Sequence, residues 1–415
     1  MVGVFAPGLR VTCVVTFPAT RQTALERLGD FLADAPRYAA RRNYVLSGHP
    51  QVSRLSAAIR HRLITEAEVV EATLRCYPFR AVEKFLQEVL WRLYWKGWLE
   101  MRPQIWQSYA AAVSQKPDSE DVCAVAGGLS QSGIMNHFAR ELLETGYMHN
   151  HARMWWASYW IHHCGLPWEL GADHFFRHLL DADPASNTLS WRWVAGLQTR
   201  GKTYLATAQN ITKYCAPEIL EAAGGVGFED GVVARMARDE ERMDETALPL
   251  EEFPKEYDPR ADERTVVVLH DEDLCLENSP LAKVRPVVVL QFVPKSDSPL
   301  PAPRADWLAA ARSDAARRAK EHFGCDVLVC RNREDLRREC AAQKATCLLM
   351  MEPFVGPLRD ELGGFPEELA GHGIDVVRLR RKWDSALLPH AARGFFPFWN
   401  KVGRFLAKSG TETLS

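Results

Sequence analysis

The sequence predicts a chain of two parts, an all-helical part followed by an α/β part with a Rossmann-like, doubly wound parallel sheet. Between about residues 20 and 214, large apolar residues recur every three or four positions, as in AVEKFLQEVLWRLYWKGW, which is the spacing of helices. Beyond residue 263, short β-branched runs alternate with helical stretches such as DWLAAARSDAARRAKEHF. Strands that alternate with helices are typical of a parallel sheet covered on both faces.

A polar and acidic stretch at about residues 216–262 separates the two parts and contains RDEERMDE and LEEFPKEYDPRADE. This composition favours a solvated connector over a packed element. We therefore expect a helical domain over residues 1–255, which includes most of the connector, and an α/β domain over 263–405. The runs expected to form strands are TVVVLH, RPVVVLQFV, CDVLVC, ATCLLMM and IDVVRL.

Composition excludes few functions, but it indicates in which cellular compartment the protein works. The 415 residues carry a formal charge of −2, so any binding to nucleic acid must use a local basic patch. No apolar run approaches the roughly 20 residues that span a bilayer, and the start of the chain lacks the pattern of a signal peptide. The 10 cysteines include no C-x2-C pair. We expect a soluble, cytoplasmic monomer with reduced thiols and no membrane partner.

Two segments combine polar side chains with tryptophans in a way that core packing alone does not require. They are ETGYMHNHARMWWASYW at residues 144–160 and LLDADPASNTLSWRW at 179–193. Any single one of the chain's 13 tryptophans is more often a core residue than a functional one. The carboxylates of Asp181 and Asp183, however, can accept hydrogen bonds from a ligand. A helix-capping role for Asp183, which precedes a proline, is the alternative.

Three further patterns leave more than one interpretation open. Ser53 and Ser56 precede an apolar helical run, where hydroxyls serve either as helix caps or as ligands for a phosphate. Glu88 lies three residues before Trp91 and four before Arg92, so an ion pair between Glu88 and Arg92 is the structural alternative to a role in a site. The GGVGF stretch at 224–228 lacks a preceding strand and is expected to be a loop.

A metal site is not expected. HFFRH places His174 and His178 four residues apart, a spacing that suits zinc, but the sequence offers no evident third ligand.

Three motifs together resemble a known family. They are YAARRNYVLSGHPQVSRLSAAI, TGYMHNHARM and LLDADPASNTLSWRW, and they follow one another in the family's order across roughly residues 20–215. The chain resembles the FAD-binding helical domain of the photolyase/cryptochrome family, and most closely that of class I cyclobutane pyrimidine dimer photolyases. The resemblance implies non-covalently bound FAD. The residues it places around the cofactor are Tyr38, Ser53, Leu55 and Ser56 at the phosphates and ribityl chain, Arg153 paired with Asp181 beside the ring, Asp183 at the ring's polar edge, and Asn187 facing N5.

The same resemblance implies a pocket for a flipped-out DNA lesion and a path for electrons. The lesion-facing residues would be Glu88, Trp91, Asn150, Met154 and Trp193, and Arg42 would contact a DNA phosphate. Trp191 and Trp168 match two members of the chain that passes electrons to photoexcited flavin, and Trp106 is a guess for the third. Family members that repair the (6-4) photoproduct have histidines where this chain has Asn150 and Met154. Cyclobutane pyrimidine dimers are therefore the expected substrate.

The α/β part resembles the antenna domain of the same family, but it stands in an unusual place. VVVLHDEDLCLENSPL at 266–281 resembles the opening of that domain, with acids in place of the usual arginines, and GFFPFWNKV at 394–402 resembles its end. In the family this domain precedes the helical one, so the order here indicates a circular permutation. No residue set identifies an antenna chromophore.

The function implied is light-driven repair of DNA that contains pyrimidine dimers, with FAD as the cofactor. The alternative is a cryptochrome-like blue-light photoreceptor, in which photoreduction of FAD is signalled to a protein partner. Retention of the whole lesion-facing set favours repair, because signalling does not need a lesion pocket.

Overall fold

The computed structural model describes residues 16–199, 201–228, 230–234, 245–258, 260, 263–295 and 298–409. Helices form the first half of the chain, and a parallel sheet with flanking helices forms the second. This confirms the fold class that the sequence predicts.

The helices of the first half are joined mainly by short loops. Their bounds are α1 Arg21–Leu32, α2 Tyr38–Arg41, α3 Ser56–Arg60, α4 Glu66–Cys76, α5 Phe79–Glu100, α6 Pro103–Gln115, α7 Glu120–Ala126, α8 Gly133–Thr145, α9 Asn150–Ser158, α10 Trp168–His178, α11 Pro184–Val194, α12 Ala208–Tyr214 and α13 Pro217–Ala222. A 3-10 turn at Ala35–Arg37 precedes α2, and α9 continues into a π-helical turn at Tyr159–His163.

Helix α5 organises the first half, because it packs against α2, α4, α6 and α11. Its buried apolar residues, among them Phe85, Leu86, Val89 and Leu93, recur every three or four positions and so form one face of the helix. Trp91 and Arg92 are only half-buried. The two residues therefore remain available to line a cavity.

The second half contains a five-stranded sheet in which every neighbouring pair of strands is parallel. The strands are β1 Thr265–His270, β2 Val288–Phe292, β3 Val327–Cys330, β4 Cys347–Met351 and β5 Asp375–Leu379, in the order β3-β2-β1-β4-β5. Each lies within one of the five runs predicted to be strands. The order reverses at β1, so the sheet is doubly wound, and the ends of β1 and β4 flank the switch point.

The helices of the second half connect its strands, and those that follow the last strand pack against α5 of the first half. Their bounds are α14 Ala302–Phe323, α15 Arg333–Ala342, α16 Pro357–Glu361, α17 Phe365–Ala370, α18 Lys382–Leu387 and α19 Phe395–Ser409. A 3-10 turn at Leu388–Ala392 lies so close to α5 that a Cβ at Gly97 would stand 2.8 Å from the Cβ of Ala391. Glycine at position 97 therefore permits the contact. The indole of Trp399 in α19 also donates to Glu83 of α5 at 3.0 Å.

The expected connector is only partly regular. Helix α13 lies at its start, while residues 245–258 contain no helix or strand, and part of the acidic run lies outside the described residues. Residues 224–228 form a loop, as predicted, in which the carbonyl of Val226 accepts a hydrogen bond from Ser132. Among the described residues, every cysteine is an unpaired thiol. No helix in the part of the chain described is long and apolar enough to cross a membrane.

A buried histidine lies where the helical half meets the sheet. His61 packs against the ring of Trp307, and its Nδ1 lies 2.7 Å from the carbonyl oxygen of Asp271. Burial, reinforced by the charge of Arg60, lowers the pKa of His61 to about 4 even though Asp271 and Glu272 oppose the shift. The imidazole is therefore neutral in the folded protein at pH values where the unfolded chain, with a pKa of about 6.5, takes up a proton.

This difference predicts a loss of stability in mild acid. Between about pH 6.5 and 4 the unfolded state binds the extra proton, so the free energy of unfolding should fall with pH by up to about 1.4 kcal/mol per unit from this group. Urea unfolding at several pH values in this window checks the expectation. His61→Asn, which keeps a donor for the Asp271 carbonyl, should have a shallower dependence on pH. An unchanged slope in that variant would contradict the assignment.

Candidate functional site

A cavity of about 1000 Å³ opens among the helices of the first half. Its wall is formed by residues 52–56, by inward-facing side chains of α5, α9 and α11, and by residues 392–395 from the far end of the chain. A volume of this size is at the upper end for small-molecule sites. Eleven of the lining residues are Phe, Tyr or Trp, so a ligand with flat rings would find stacking surfaces on several sides.

The cavity brings together nearly all the residues that the sequence singled out. Trp168 does not line it, and neither does Trp106, the guess for the third electron carrier. Those that do are Tyr38, Arg42, Ser53, Leu55, Ser56, Glu88, Trp91, Asn150, Arg153, Met154, Asp181, Asp183, Asn187, Trp191 and Trp193. The roles assigned to them remain predictions, but their proximity to one another is a property of the structure.

Arg153 and Asp181 form the ion pair that the sequence predicts. One guanidinium nitrogen of Arg153 lies 3.1 Å from each oxygen of the carboxylate, and its Nε donates to the carbonyl of Met148 at 2.8 Å. Burial alone would raise the pKa of Asp181, but the charges of Arg153 and Arg92 outweigh it and hold that pKa below its ordinary value. Asp181 is therefore an ionised acceptor at neutral pH.

Asp183 has two functions in the fold at once. Its Oδ1 accepts a hydrogen bond from the backbone N–H of Ser186 at 2.8 Å, so the predicted capping of α11 is present. Its Oδ2 lies 3.1 Å from Arg92, 3.7 Å from Arg60 and 3.8 Å from Lys96. Burial favours the neutral acid, but these three cations prevail and depress the pKa of Asp183 far below its ordinary value.

The ion pair between Glu88 and Arg92 is absent, so that alternative was wrong. Arg92 points to Asp183, while Glu88 lies 3.2 Å from Arg42 and 2.9 Å from Lys84. The buried carboxylate of Asp183 attracts the arginine more strongly than the half-buried carboxylate of Glu88, one helical turn away. Glu88 and Arg42, both predicted to contact DNA, are thus paired with each other on the cavity wall.

The two tryptophans predicted to face the lesion each already stack on an aromatic residue of the chain. The ring of Phe395 lies 3.7 Å from that of Trp91, with 8° between the planes, and Tyr204 stacks on Trp193 at 5.5 Å. Both tryptophans stay half-buried and line the cavity. Phe395 was not singled out as a site residue, because GFFPFWNKV was interpreted only as the end of the α/β part.

Trp191 lies on the cavity wall, and two other buried tryptophans lie close behind it. Its ring centroid is 6.2 Å from that of Trp156 and 6.4 Å from that of Trp160. The other predicted electron carriers form a separate row, in which Trp168 stacks on Tyr109 at 5.7 Å and Tyr109 contacts Trp106 at 5.4 Å. Trp156 and Trp160 both belong to the segment quoted from the sequence, but no spacing rule distinguished them from core residues.

The alternative role for the two serines, helix capping, is not observed. Neither hydroxyl caps α3, because the N-cap is Leu55 and has no side-chain hydrogen bond. Both serines line the cavity. The Nδ1–H of His178 donates to the carbonyl of His174 at 2.9 Å. The described residues include no group of three or more His, Cys, Asp or Glu arranged to hold a metal ion.

Comparison with known families identifies the segment that builds most of this cavity. The family profile described as "FAD binding domain of DNA photolyase" matches residues 85–216. This segment is similar to the FAD-binding domain of DNA photolyases. The match contains most of α5 and all of α9 and α11, and with them four charged residues of the wall, Arg92, Arg153, Asp181 and Asp183.

Curated relatives that are similar in sequence match less than half of the chain. The deoxyribodipyrimidine photo-lyase of Agrobacterium fabrum is 33% identical over 181 residues, which are 42% of this chain and 37% of that protein. That of Streptomyces griseus is 30% identical over 191 residues, which are 43% of this chain and 42% of that protein. The chain therefore spans only about two fifths of the length of these relatives.

Solved structures with partial similarity include a photolyase and a cryptochrome. A bacterial class III photolyase from Agrobacterium tumefaciens is 25% identical, with a TM-score of 0.42 over 50% of each chain. A cryptochrome from Synechocystis is 20% identical, with a TM-score of 0.41 over 52% of this chain and 48% of its own.

The wall of the cavity fits FAD in charge and in polar groups. Its described residues include six arginines and four carboxylates, an excess of two positive charges that matches the two negative charges of the cofactor's diphosphate. The buried Nε1 of Trp191 and Nε2 of His149, both on the wall, have no hydrogen-bond partner within the described chain. Buried donors of this kind ordinarily find a partner, and a polar ligand would provide one. The residues present therefore fit the cofactor that the family binds.

Proposed function

We propose that this protein is a light-driven photolyase that splits cyclobutane pyrimidine dimers in DNA. The observation that carries the proposal is that the residues predicted for the lesion and those predicted for FAD line a single cavity. An electron can pass between two groups only when they are held close together, and one shared cavity provides that proximity. A photoreceptor would need only the cofactor side of it.

The cofactor side of the cavity supports this function through its acceptors and charges. Bound FAD, once reduced and excited by light, supplies an electron to the dimer and takes it back after the ring has opened. Ionised Asp181 and Asp183 can each accept an N–H of the ring system. Asn187 donates its Nδ2 to the carbonyl of Ala172 at 2.7 Å, which leaves its oxygen as an acceptor for an N–H of the reduced ring.

The lesion side offers stacking surfaces and a carboxylate. Trp91 and Trp193 are half-buried on the cavity wall, where stacking on an unpaired base contributes about 1–3 kcal/mol per base. Glu88 is positioned to accept from a base N–H, and Arg42 beside it adds the positive charge that a DNA phosphate requires. Asn150 and Met154 carry no titratable proton, which suits a dimer that is split by an electron alone.

One observation favours the second candidate, a cryptochrome-like photoreceptor that signals to a protein partner. Phe395 already covers a face of Trp91 with its ring nearly parallel, so a flipped base would have to use another surface or displace the phenyl ring. A protein that only photoreduces FAD has no need of that face. Binding of damaged DNA therefore separates the two functions.

Substitutions at Glu88 and Trp91 test the lesion assignment. We expect Glu88→Ala and Trp91→Ala each to weaken binding of a dimer-containing oligonucleotide in the dark by roughly 1–3 kcal/mol while FAD stays bound. Fluorescence anisotropy with damaged and undamaged oligonucleotides measures the affinity, and absorbance gives the FAD content. Trp95→Ala is the matched control, because Trp95 lines the same cavity from the same helix but lies outside the predicted set. Equal affinity in all three variants would show that Glu88 and Trp91 are not part of the lesion site.

We also propose that residues 263–405 are the family's antenna domain, moved by circular permutation behind the helical domain at 1–255. Support comes from the doubly wound sheet and from the HDEDL segment, which begins at the last residue of β1, so that it follows a strand as the resemblance predicts for the opening motif. The packing of α19 against α5 also supports the proposal, because a permuted domain must still contact the helical one. Termini at the surface make such a rearrangement physically tolerable.

A further inference from the structure

A carboxylate of the sheet domain reaches the charged wall of the cavity. Glu272 follows β1, and through Arg60 it is connected to Asp183. We propose that Glu272 is a positioning residue for the FAD site: it holds Arg60 away from Asp183 and thereby sets the reduction potential of the bound cofactor. The proposal rests on the proposed function insofar as Asp183 lies at the polar edge of the ring.

The geometry shows an arginine shared unequally between two acids. One terminal nitrogen of Arg60 is hydrogen-bonded to Glu272 Oε1 at 2.5 Å, whereas its Nε stays 3.7 Å from Asp183 Oδ2 and has no hydrogen bond. The side chains of Arg60, Glu272 and Asp183 are 5%, 7% and 3% exposed. Because solvent hardly screens charges at this depth, a small movement of Arg60 changes how much of the charge of Asp183 is neutralised.

The other two cations near Asp183, Lys96 and Arg92, do not fully neutralise its carboxylate, so the position of Arg60 still matters. Lys96 lies 3.8 Å from Asp183, over the ring of Phe354, and its Nζ has no hydrogen-bond partner within the described chain. Among the side chains of the described residues, Arg92 alone donates a hydrogen bond to Oδ2 of Asp183, at 3.1 Å. Among these three cations, Arg60 is the one that a carboxylate of the sheet domain holds by a hydrogen bond, whereas Lys96 meets that domain only at the ring of Phe354.

A second buried ion pair joins the same two halves and provides a matched comparison. Arg62 donates two hydrogen bonds to Asp384, at 2.9 and 2.7 Å, and both side chains are nearly inaccessible to solvent. The described contacts of Asp384 do not include Asp183. Loss of a carboxylate from either pair should weaken the junction of the two halves. Only loss of Glu272 should alter the surroundings of the cofactor.

The test is the midpoint potential of the FAD-loaded full chain, measured by spectroelectrochemical titration. In Glu272→Gln a negative charge is lost and Arg60 is free to close on Asp183, and both changes favour the reduced, more negative cofactor. We expect a shift to more positive potential by about 30 mV, a tenfold change for a two-electron couple. Asp384→Asn should leave the potential unchanged although it lowers the melting temperature.

Glu272→Asp provides a second arm that does not depend on the glutamine variant folding well. Aspartate keeps the charge but has a shorter reach, so it should draw Arg60 away from Asp183 and shift the potential in the negative direction. Opposite shifts in the two Glu272 variants support the proposal. Shifts of the same sign, or no shift in either one, overturn it.

Failure of the proposed function gives a different result. A protein that binds FAD but does not repair DNA leaves the potentials of all variants measurable, so this inference is tested regardless. A wild-type chain that binds no FAD would overturn the cofactor site, and this inference with it.

Discussion

Replacement of Asp183 by asparagine is expected to cost the protein most of its bound FAD. The change removes the negative charge that compensates Arg60, Arg92 and Lys96, all of which lie within 4 Å of it. Removing one partner of a buried ion pair typically costs about 3–5 kcal/mol, because the remaining charge stays buried without compensation. A loss of that size corresponds to more than about a hundredfold in an equilibrium constant.

Asparagine isolates the effect of charge from the effect of capping. It is as good an N-cap as aspartate, so the hydrogen bond from Ser186 and the start of α11 should survive. The measurement is the ratio of flavin to protein absorbance after purification, together with thermal unfolding of the cofactor-free chain. Glu245→Gln is the control, because Glu245 is a carboxylate of the same cavity that lies outside the predicted cofactor set. Full retention of FAD in Asp183→Asn would show that Asp183 is not part of the cofactor site.

Replacement of Trp191 by phenylalanine should slow photoreduction of oxidised FAD by more than an order of magnitude. Trp191 lies on the cavity wall and is buried against Trp156 and Trp160, so we expect it to pass an electron from these buried indoles to the cofactor. Phenylalanine fills most of the same space but gives up an electron far less readily. Repair by chemically reduced protein does not need this path and should be unaffected.

The route beyond Trp191 is decided by a small set of further variants. Trp168→Phe tests the member inferred from the family, and Trp156→Phe and Trp160→Phe test the two rings that the structure places next to Trp191. Photoreduction is followed by the loss of the oxidised flavin bands under blue light. If Trp191→Phe photoreduces as fast as the wild type, electrons reach FAD by another route.

Much of the fold could be predicted because each element has its own periodicity. The spacing of Phe85, Leu86, Val89 and Leu93 predicted a helix, and the β-branched run TVVVLH predicted a strand, which the structure places in the middle of the sheet and buries along its whole length. Alternation of strands and helices then determined the parallel sheet, and the observed strand order agrees with it.

The contacts that complete the site could not be predicted from local patterns. Phe395 stacks on Trp91, and Glu272 binds Arg60 across 212 positions of sequence, and neither contact has a local signature. The i,i+4 spacing offered an ion pair between Glu88 and Arg92 that is not observed. Arg92 is paired instead with the buried carboxylate of Asp183, which attracts it more strongly. Tertiary electrostatics outweighs helical spacing wherever a charge has no access to solvent.

The central claim is that a single cavity holds FAD beside a pyrimidine dimer, and its most direct test is one illumination experiment. The protein is purified in the dark, its absorption spectrum is recorded, the flavin is reduced, and the sample is illuminated with an oligonucleotide that contains cyclobutane dimers. We predict flavin bands and a loss of dimers that requires light. Bound flavin that photoreduces while the dimers persist would contradict repair and favour the photoreceptor.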